Sequence, residues 1–235
     1  MISILIPIYN GIEFIEDSVS SVINQTYMDW ELIIAINGHQ MGSNIFHIAK
    51  KYETDFRIPN NNKIKVYDFF HLKGKSETLN EMIKYCNPIS EYVALLDVDD
   101  IWHPEKLRLQ SNYLGYFDVI GSKCVYFGDM NNIIPDIPTE DISNFDFFRL
   151  NPIINSSAVI RKSLCKWVRN FEDADVEDYD LWLTLRRENK KFFNLNAISV
   201  KHRIHHSSAF NSKGNHNHVE ELLNKHRKLL KTKTD

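Results

Sequence analysis

Short apolar runs alternate with amphipathic stretches over the first hundred residues, and no other feature of the chain narrows the possible folds as much. Four apolar runs have the length of buried strands: residues 3–8, 32–36, 64–67 and 92–96. Helical spacing of apolar residues follows the first three: residues 13–24, a weaker stretch that ends near Tyr52, and residues 76–85 with Ser76 as N-cap. Repeated units of strand, loop and helix predict an α/β fold with a mostly parallel central sheet and flanking helices.

The second half is less regular but continues the same domain. Strands are predicted at residues 119–127, 156–160 and 197–204, and helices at residues 144–150 and 177–187. Neither an internal repeat nor a Gly- or Ser-rich linker interrupts the sequence. We therefore expect one domain at residues 1–215, followed by a C-terminal tail at residues 216–235.

Composition excludes several classes of protein. The 235 residues are 43% hydrophobic, which is enough for a full core. A formal net charge of −3 gives no overall basic field, so nucleic acid is not expected as a partner. Cys86, Cys124 and Cys165 are widely spaced and odd in number, which argues against a disulfide framework or a zinc knuckle and favours a reducing compartment.

The hydropathy pattern predicts a cytoplasmic protein. Residues 1–8 are apolar but lack a preceding basic region and run into Pro7 and polar residues, unlike a signal peptide. No stretch reaches the roughly 18 consecutive apolar residues of a membrane span. Any membrane contact must be peripheral. The basic amphipathic helix predicted at residues 219–233 either lies on an anionic membrane or docks on its own domain.

Three carboxylates follow the fourth apolar run, where the predicted strand reaches the edge of the sheet. Asp97 and Asp99 are two residues apart, so in an extended chain their side chains project to the same side. Such a pair can bind one hard cation, Mg²⁺ or Mn²⁺, which in turn neutralises phosphate oxygens. The alternative is an acidic turn in which Asp100 precedes a helix that begins near Pro104.

Four motifs occur in order: IPIYN after the first strand, AING after the second, LDVDDIWHPEKL after the fourth, and EDYDLW near residue 180. Together they resemble the family 2 glycosyltransferases, inverting enzymes of the GT-A fold that use nucleotide sugars. The resemblance covers residues 1–206. It implies transfer of a sugar, with a UDP-sugar as the favoured donor, to a hydroxyl of a glycan, a lipid-linked acceptor or a protein-linked acceptor.

The resemblance implies a nucleotide site along the first strand and its loop. Pro7, Ile8, Tyr9 and Asn10 match the segment that lines the base and ribose pocket in the family. The physical chemistry agrees, because the carboxyl edge of a sheet presents free backbone groups and the Tyr9 ring can stack.

Two departures from the family pattern concern the nucleotide. The family usually has two aspartates at the end of the second strand, where this chain has Ile36 and Asn37. Asn37 still offers a carbonyl acceptor to a base, but its amide also donates, which leaves the identity of the base open. Leu79 stands at the position of a common arginine. Lys73 and Lys75 are either plain surface lysines or supply that cation, with Lys75 assigned to nucleotide-sugar binding.

The resemblance places the metal site on the DxD motif. Asp97, Val98 and Asp99 match this motif, with Asp99 as the direct ligand and Asp97 nearer the ribose or the metal. His205, in VKHRIHHSS, matches a histidine that approaches the diphosphate or the metal, and Arg203 is a second candidate for phosphate contact. Mn²⁺ or Mg²⁺ would offset the charge that develops on the leaving nucleoside diphosphate.

An acidic pair, Glu177 and Asp178, matches the acceptor site of the family. Inversion requires one base opposite the leaving group to take the proton of the acceptor hydroxyl. We expect Asp178 to be that base and Glu177 to bind or orient the acceptor. Trp182 either lies under a sugar ring or is a core residue, and Ser156 and the loop at residues 206–217 are expected to line the acceptor pocket.

Two other functions fit parts of the pattern. Haloacid-dehalogenase-type phosphatases also place DxD after an apolar strand, but there it opens the chain and a GDxxxD loop follows, where this chain has Ile133 instead of the later acid. A glycosyltransferase-like domain that binds a nucleotide sugar or glycan without turnover would accommodate the changes at Asn37 and Leu79. The intact acids Asp99 and Asp178 favour an enzyme.

Overall fold

The structure is a computed structural model that describes residues 1–57, 63–171, 176–206 and 215–231. Within these residues the chain has nine strands and six α-helices. The strands are β1 (Ile2–Ile8), β2 (Trp30–Asn37), β3 (Ile64–Phe69), β4 (Tyr92–Leu95), β5 (Ile101–Trp102), β6 (Val119–Gly128), β7 (Glu140–Asp141), β8 (Val159–Arg161) and β9 (Phe192–Ile204). The helices are α1 (Ile15–Ile23), α2 (Asn44–Lys50), α3 (Lys75–Met82), α4 (Lys106–Ser111), α5 (Glu177–Arg187) and α6 (Asn215–Lys231).

The strands form one mixed sheet, in the order β3, β2, β1, β4, β8, β6, β9 and β5, and β7 also pairs with β9. The first four strands are parallel, as the repeated units predict. In the second half β8 runs antiparallel to both β4 and β6, whereas β6 and β9 are parallel. The register pairs Ile8 with Ile36 and Leu5 with Leu95, so the carboxyl ends of β1, β2 and β4 meet at one edge.

Both faces of the sheet are covered, which explains why its central strands are continuously apolar rather than alternating. Along β1, Ile4 and Ile6 pack into one core cluster and Leu5 into a second. Val19 of α1 belongs to the first cluster, and Leu79 of α3 belongs to the second. Each fully buried aliphatic side chain contributes roughly 1.5–3 kcal/mol. This packing gives a firm frame from which the loops at the carboxyl edge extend.

The helix predicted at residues 144–150 is wrong, because this segment forms turns. The Asp146 carboxylate accepts a hydrogen bond from the Phe148 amide at 2.9 Å, and such a local bond from side chain to backbone competes with the helix. Phe147 is buried and packs edge-on against Phe192 at a centroid distance of 4.8 Å. The apolar spacing therefore reflects aromatic residues that anchor a turn.

Several element boundaries differ from the prediction, and two of them, at α3 and β8, bear on the site. Helix α3 begins at Lys75, and Gly74 precedes it with a φ of +97°, so Ser76 is not the cap. The apolar residues at 156–160 split into a 3₁₀ turn, Asn155–Ser157, and strand β8. This turn brings its polar side chains next to the end of β4.

Helix α6 packs against α5, which favours the docked alternative for the C-terminal segment. Leu222 and His226 are fully buried. His226 Nε2 lies 2.8 Å from Asp180 Oδ1, and Lys225 Nζ lies 2.9 Å from the same oxygen. Residues 232–235, including Lys233, lie outside the described residues, and the boundary at residue 215 stays a prediction. Among the described helices, none is both long enough and apolar enough to cross a membrane.

Candidate functional site

A cleft of about 620 Å³ opens at the carboxyl edge of β1 and β2. Four separate segments of the chain line it, and their residues are Pro7, Tyr9, Asn37, Gly38, Lys73, Gly74, Lys75 and Arg169. The predicted nucleotide residues Pro7, Tyr9, Asn37 and Lys75 thus surround one cavity although they are distant in sequence. Parallel strands explain this, because their carboxyl ends share one edge.

Tyr9 presents a flat aromatic surface in this cleft. Its side chain is 56% exposed, and its ring stacks on His39 with the centroids 5.1 Å apart. His39 Nε2 also makes a short hydrogen bond with the carbonyl oxygen of Tyr9. Gly38 permits this close approach, since its φ is +71° and a Cβ there would lie 3.0 Å from the Tyr9 ring. Such a surface suits a nucleobase. Sequence reasoning missed His39, which belongs to no motif.

Three basic side chains line the cleft, and none of its lining residues in the described chain is acidic. Lys73 and Lys75 were both considered from the sequence, whereas Arg169 was missed. Arg169 Nη1 donates a hydrogen bond to the carbonyl oxygen of Lys73 at 3.4 Å. Leu79, at the position of the family's arginine, is buried in the core. Arg169 lies in a segment without periodicity or motif, so no sequence signal pointed to it.

Lys75 joins the cleft to two carboxylates. Its Nζ lies 2.7 Å from Asp97 Oδ1 and 3.2 Å from Glu177 Oε1. Burial disfavours the charge on the ammonium group, but these two carboxylates raise the pKa of Lys75 well above its ordinary value. Lys75 is therefore a charged bridge between the end of β4 and the start of α5.

Asp97 is held from two sides. Its Oδ2 accepts hydrogen bonds from Asn155 Nδ2 at 2.9 Å and from Ser156 Oγ at 3.3 Å. Burial acts to raise the pKa of Asp97, but Lys75 and Asn155 outweigh it and lower the pKa, so the carboxylate is ionised. Ser156 is only 1% exposed and supports Asp97, so the predicted contact between Ser156 and an acceptor does not fit its position.

Residues that follow the three acids pack behind Asp97. Trp102 Nε1 donates a hydrogen bond to the carbonyl oxygen of Ser156 at 2.7 Å. Lys106 Nζ lies 4.0 Å from the centroid of the Trp102 ring and donates to Gln110 Oε1 at 2.8 Å. Lys106 is fully buried, and burial lowers its pKa well below the ordinary value. The IWHPEKL part of the motif thus supports the acids.

Asp99 and His205 lie side by side. His205 Nε2 is 3.0 Å from Asp99 Oδ2. Burial, together with the negative charges of Asp100 and Asp97, raises the pKa of Asp99. An oxygen and a ring nitrogen so close together can bind a divalent cation.

Asp100 and Arg203 fix the acidic turn against β9. Asp100 is fully buried and accepts hydrogen bonds from the Arg203 amide at 2.8 Å and from His202 Nδ1 at 2.9 Å. Burial opposes the charged His202 ring, but Asp100 raises the pKa of His202 to about 9. Arg203 donates to the Asp99 carbonyl oxygen at 2.8 Å and to Asp17 at 2.7 Å.

The guanidinium of Arg203 lies between two aromatic rings, 4.4 Å from the centroids of both Phe14 and Phe127. The side chain is 16% exposed. It therefore clamps the turn, and the predicted phosphate contact does not fit its position.

Asp178 lies in the first turn of α5 and is partly buried. Its Oδ2 accepts a hydrogen bond from Asn151 Nδ2 at 3.3 Å. Burial raises the pKa of Asp178 and Asp97 adds to this effect, while Lys75 opposes it. A carboxylate with a raised pKa is a better base than an exposed aspartate, which is the property expected of a residue that takes a proton.

Four other residues that the sequence analysis assigned to the site differ in how far their side chains are exposed. The side chains of Ile8 and Val98 are buried in the first core cluster, so only their backbone atoms could meet a nucleotide. Trp182 is fully buried, which agrees with the core alternative, and a place under a sugar ring does not fit this position. Asn10 is exposed. Of the predicted acceptor loop, residues 207–214 lie outside the described residues.

Within the described parts of the chain, no group of three or more His, Cys, Asp or Glu side chains is arranged to hold one metal ion. The predicted ligands Asp99 and His205 are adjacent. Asp97 instead directs one oxygen to Lys75 and the other to Asn155. Two of the three predicted metal ligands, Asp99 and His205, therefore lie together, and the third, Asp97, is engaged by other residues.

The model of a protein family described as Glycosyl transferase family 2 matches residues 3–171. The O-antigen biosynthesis glycosyltransferase WbnJ of Escherichia coli is 27% identical over 215 residues, which cover 88% of this chain and 81% of that protein. UDP-Glc:alpha-D-GlcNAc-diphosphoundecaprenol beta-1,3-glucosyltransferase WfgD of Escherichia coli is 25% identical, with 91% and 81% covered. The bifunctional glycosyltransferase pgtA of Dictyostelium discoideum is 27% identical over 74% of this chain, which spans only 27% of that protein's length.

Solved structures with the same fold include residues 1–349 of S. aureus TarS in complex with UDP-GlcNAc. That chain is 16% identical with a TM-score of 0.71, and the match covers 96% of this chain and 66% of that one. The mannosyltransferase PcManGT of Pyrobaculum calidifontis, in complex with GDP-Man and Mn²⁺, is 11% identical with a TM-score of 0.65, covering 88% and 58%. At these identities the likeness concerns the fold, and the predicted GT-A fold is confirmed.

Proposed function

Because this chain belongs to the family 2 glycosyltransferases, we propose that it transfers a sugar from a nucleoside diphosphate sugar to an acceptor hydroxyl, with inversion at the anomeric carbon. One observation carries the proposal above all. The cleft, lined by the basic residues Lys73 and Arg169 and by no acidic one among its described residues, adjoins, through Lys75, the acids Asp97 and Glu177. A dianionic leaving group and a proton-accepting carboxylate need these two environments side by side.

The donor is held by the cleft. Its diphosphate meets Lys73 and Arg169, and its base stacks on Tyr9 next to Asn37. A UDP-sugar is the donor we propose, because the name of WfgD includes UDP-Glc and TarS was solved with UDP-GlcNAc. Asn37 can accept and donate, so it can pair with the N–H and carbonyl groups of uracil.

Asp178 takes the proton of the acceptor hydroxyl. The oxygen then attacks the anomeric carbon with its electron pair, and the bond from that carbon to the diphosphate oxygen breaks as the nucleoside diphosphate leaves. Attack from the face opposite the leaving group inverts the configuration, and a single base suffices for this reaction. The raised pKa of Asp178 supports its assignment.

A divalent cation, Mn²⁺ or Mg²⁺, fits the residues Asp99 and His205. A carboxylate oxygen and an imidazole nitrogen are donors that Mn²⁺ accepts, and the negative charge around Asp99 favours a cation there. Bound at this place, the ion would supply positive charge to the diphosphate. Asp97 remains engaged with Lys75 and Asn155, and we assign it to the donor side without a metal bond.

The acceptor is a hydroxyl of a glycan, of a lipid-linked acceptor or of a protein-linked acceptor. The name of WfgD specifies a saccharide on diphosphoundecaprenol, which supports the lipid-linked class for a first trial. Glu177, next to Asp178, is only 4% exposed. We therefore propose that Glu177 orients other residues of the site and makes little direct contact with the acceptor. We propose that residues 1–215 form the catalytic domain and that residues 216–235 form a C-terminal appendage to it.

A panel of nucleotide sugars tests this function. The protein is incubated with UDP-, GDP- and dTDP-sugars, Mn²⁺ and a glycan acceptor, and the released nucleotide is quantified with wild type and Asp178→Asn in parallel. Release with at least one donor, lost in the variant, is expected. Binding of a nucleotide sugar without release or transfer for any donor would instead identify a glycosyltransferase-like binding domain.

A further inference from the structure

One lysine connects three separate elements at the centre of the site. Lys75 begins α3, Asp97 follows β4, and Glu177 begins α5. The Lys75 ammonium lies 2.7 Å from an oxygen of Asp97 and 3.2 Å from an oxygen of Glu177. Without the Lys75 ammonium, Asp97 and Glu177 would be two carboxylates in a partly buried space, and they would repel one another.

Contacts and burial restrict the positions of both the Asp97 and the Glu177 carboxylates. Asp97 is fixed on its second oxygen by Asn155 at 2.9 Å. The Glu177 side chain is 5% exposed, so its charge has little access to water and requires a partner. Since Glu177 is the first residue of α5, its ion pair with Lys75 also sets where the first turn of that helix lies. Asp178 is the next residue of the same turn.

Lys73 gives an internal comparison. It lines the same cleft two residues earlier, its side chain is exposed, and no carboxylate appears among its described partners. A flexible exposed ammonium is suited to contact phosphate. Lys75 points to acids instead, so two lysines of one cleft have different electrostatic surroundings.

We infer that Lys75 is a positioning residue that couples the donor half of the site to the acceptor half, by holding the turn with Asp178 at a fixed distance from Asp97. This inference rests on the proposed function, because it assumes that Asp178 acts on the acceptor. It changes the role expected for Lys75 from nucleotide contact to alignment of the base.

The test separates alignment from donor binding. Lys75→Gln is expected to lower kcat by about 10- to 100-fold, the size of a misplacement near 1 Å, while the affinity for UDP measured by calorimetry stays at the wild-type value. Lys73→Gln, which removes a proposed diphosphate contact, is the matched comparison and is expected to weaken UDP binding. Lys75→Arg should recover most of the rate, because a guanidinium can bridge two carboxylates.

A double-mutant cycle with Glu177→Gln addresses the mechanism of coupling. If Lys75 acts through Glu177, the rate of the double variant is close to that of the slower single variant, rather than the product of both losses. Thermal melting of each variant monitors folding. If Lys75→Gln does not fold, Glu177→Gln and Lys75→Arg are compared instead, since neither leaves a buried charge without its partner.

Two results would overturn the inference, and they differ from failure of the proposed function. An active wild type in which Lys75→Gln weakens UDP binding as Lys73→Gln does, with the kcat of Lys75→Gln unchanged, would make Lys75 a donor ligand. Independent losses in the cycle would also contradict coupling through Glu177. A wild type without turnover on any donor would refute the proposed function, and the inference with it.

Discussion

A buried histidine joins α5 and α6 by hydrogen bonds and allows a quantitative prediction. His226 is fully buried, its Nε2 lies 2.8 Å from Asp180 Oδ1, and its Nδ1 lies 3.1 Å from Arg187 Nε. Because Arg187 can only donate, Nδ1 of the ring accepts and Nε2 carries the hydrogen that Asp180 accepts. His226→Leu removes both bonds but leaves little empty volume.

The magnitude follows from these contacts. A hydrogen bond to a charged group contributes about 1.5–3 kcal/mol, and two are lost, while Lys225 remains 2.9 Å from Asp180 and offsets part of the loss. We expect the free energy of unfolding to fall by about 3 kcal/mol, which corresponds to a decrease of about 6–12 °C in Tm for a domain of this size.

Thermal and urea unfolding followed by circular dichroism measure this change. Lys228→Ala is the control on the same helix, because Lys228 is exposed, and its effect should stay within about 0.5 kcal/mol. If His226→Leu melts at the temperature of the Lys228→Ala control, α6 does not stabilise the domain through this buried contact, and the reasoning is refuted.

Three further predictions concern the cleft, the metal and pH. Gly38→Ala is expected to weaken UDP binding, measured by calorimetry, on the order of fivefold, because the added Cβ would displace the Tyr9 ring. Gly42→Ala is the control, since Gly42 also has a positive φ, +64°, but its Cβ would meet no atom closer than 3.9 Å; equal effects of the two variants would contradict the role of Tyr9. His205→Ala should raise the Mn²⁺ concentration for half-maximal activity by at least about tenfold, and an unchanged Mn²⁺ titration would exclude His205 as a ligand. Burial acts to raise the pKa of Asp180, but His226 and Lys225 outweigh burial and lower it, so the stability that Asp180 contributes is present above its unfolded pKa of about 3.9 and is lost as pH falls through the lower folded value. In urea unfolding, the stability difference between wild type and Asp180→Asn should therefore shrink from pH 7 to pH 3, and a constant difference would contradict this.

Much of the fold could be predicted from the sequence because parallel units obey simple geometry. The apolar runs identified β1 to β4, and the shared carboxyl edge of parallel strands placed Tyr9, Asn37 and Asp97 in one region before any contact was known. Helix α5 was predicted with its observed bounds, since Glu177–Arg187 has clear helical periodicity.

The remaining features depend on contacts between distant segments. Periodicity gave Trp182 a place on a helix but not the direction of its side chain, which is in the core. Arg169 contacts Lys73 and Lys75 contacts Glu177. The partners in each pair are about a hundred residues apart in sequence, and no local pattern encodes such contacts. Arg203 was a candidate for phosphate contact because it lies beside His205 in the segment that resembles the family's late strand, yet its guanidinium is engaged by Asp17.

The most direct test of the proposed account is the rate of sugar transfer by Asp178→Asn, with the donor and acceptor that the panel identifies. We expect kcat to fall by about 100- to 10,000-fold, the usual contribution of a general base, while UDP affinity is retained. Glu188→Gln, at the exposed far end of α5, is the control and should keep the wild-type rate. A transfer rate of Asp178→Asn near that of wild type would remove Asp178 from the reaction and contradict the proposed mechanism.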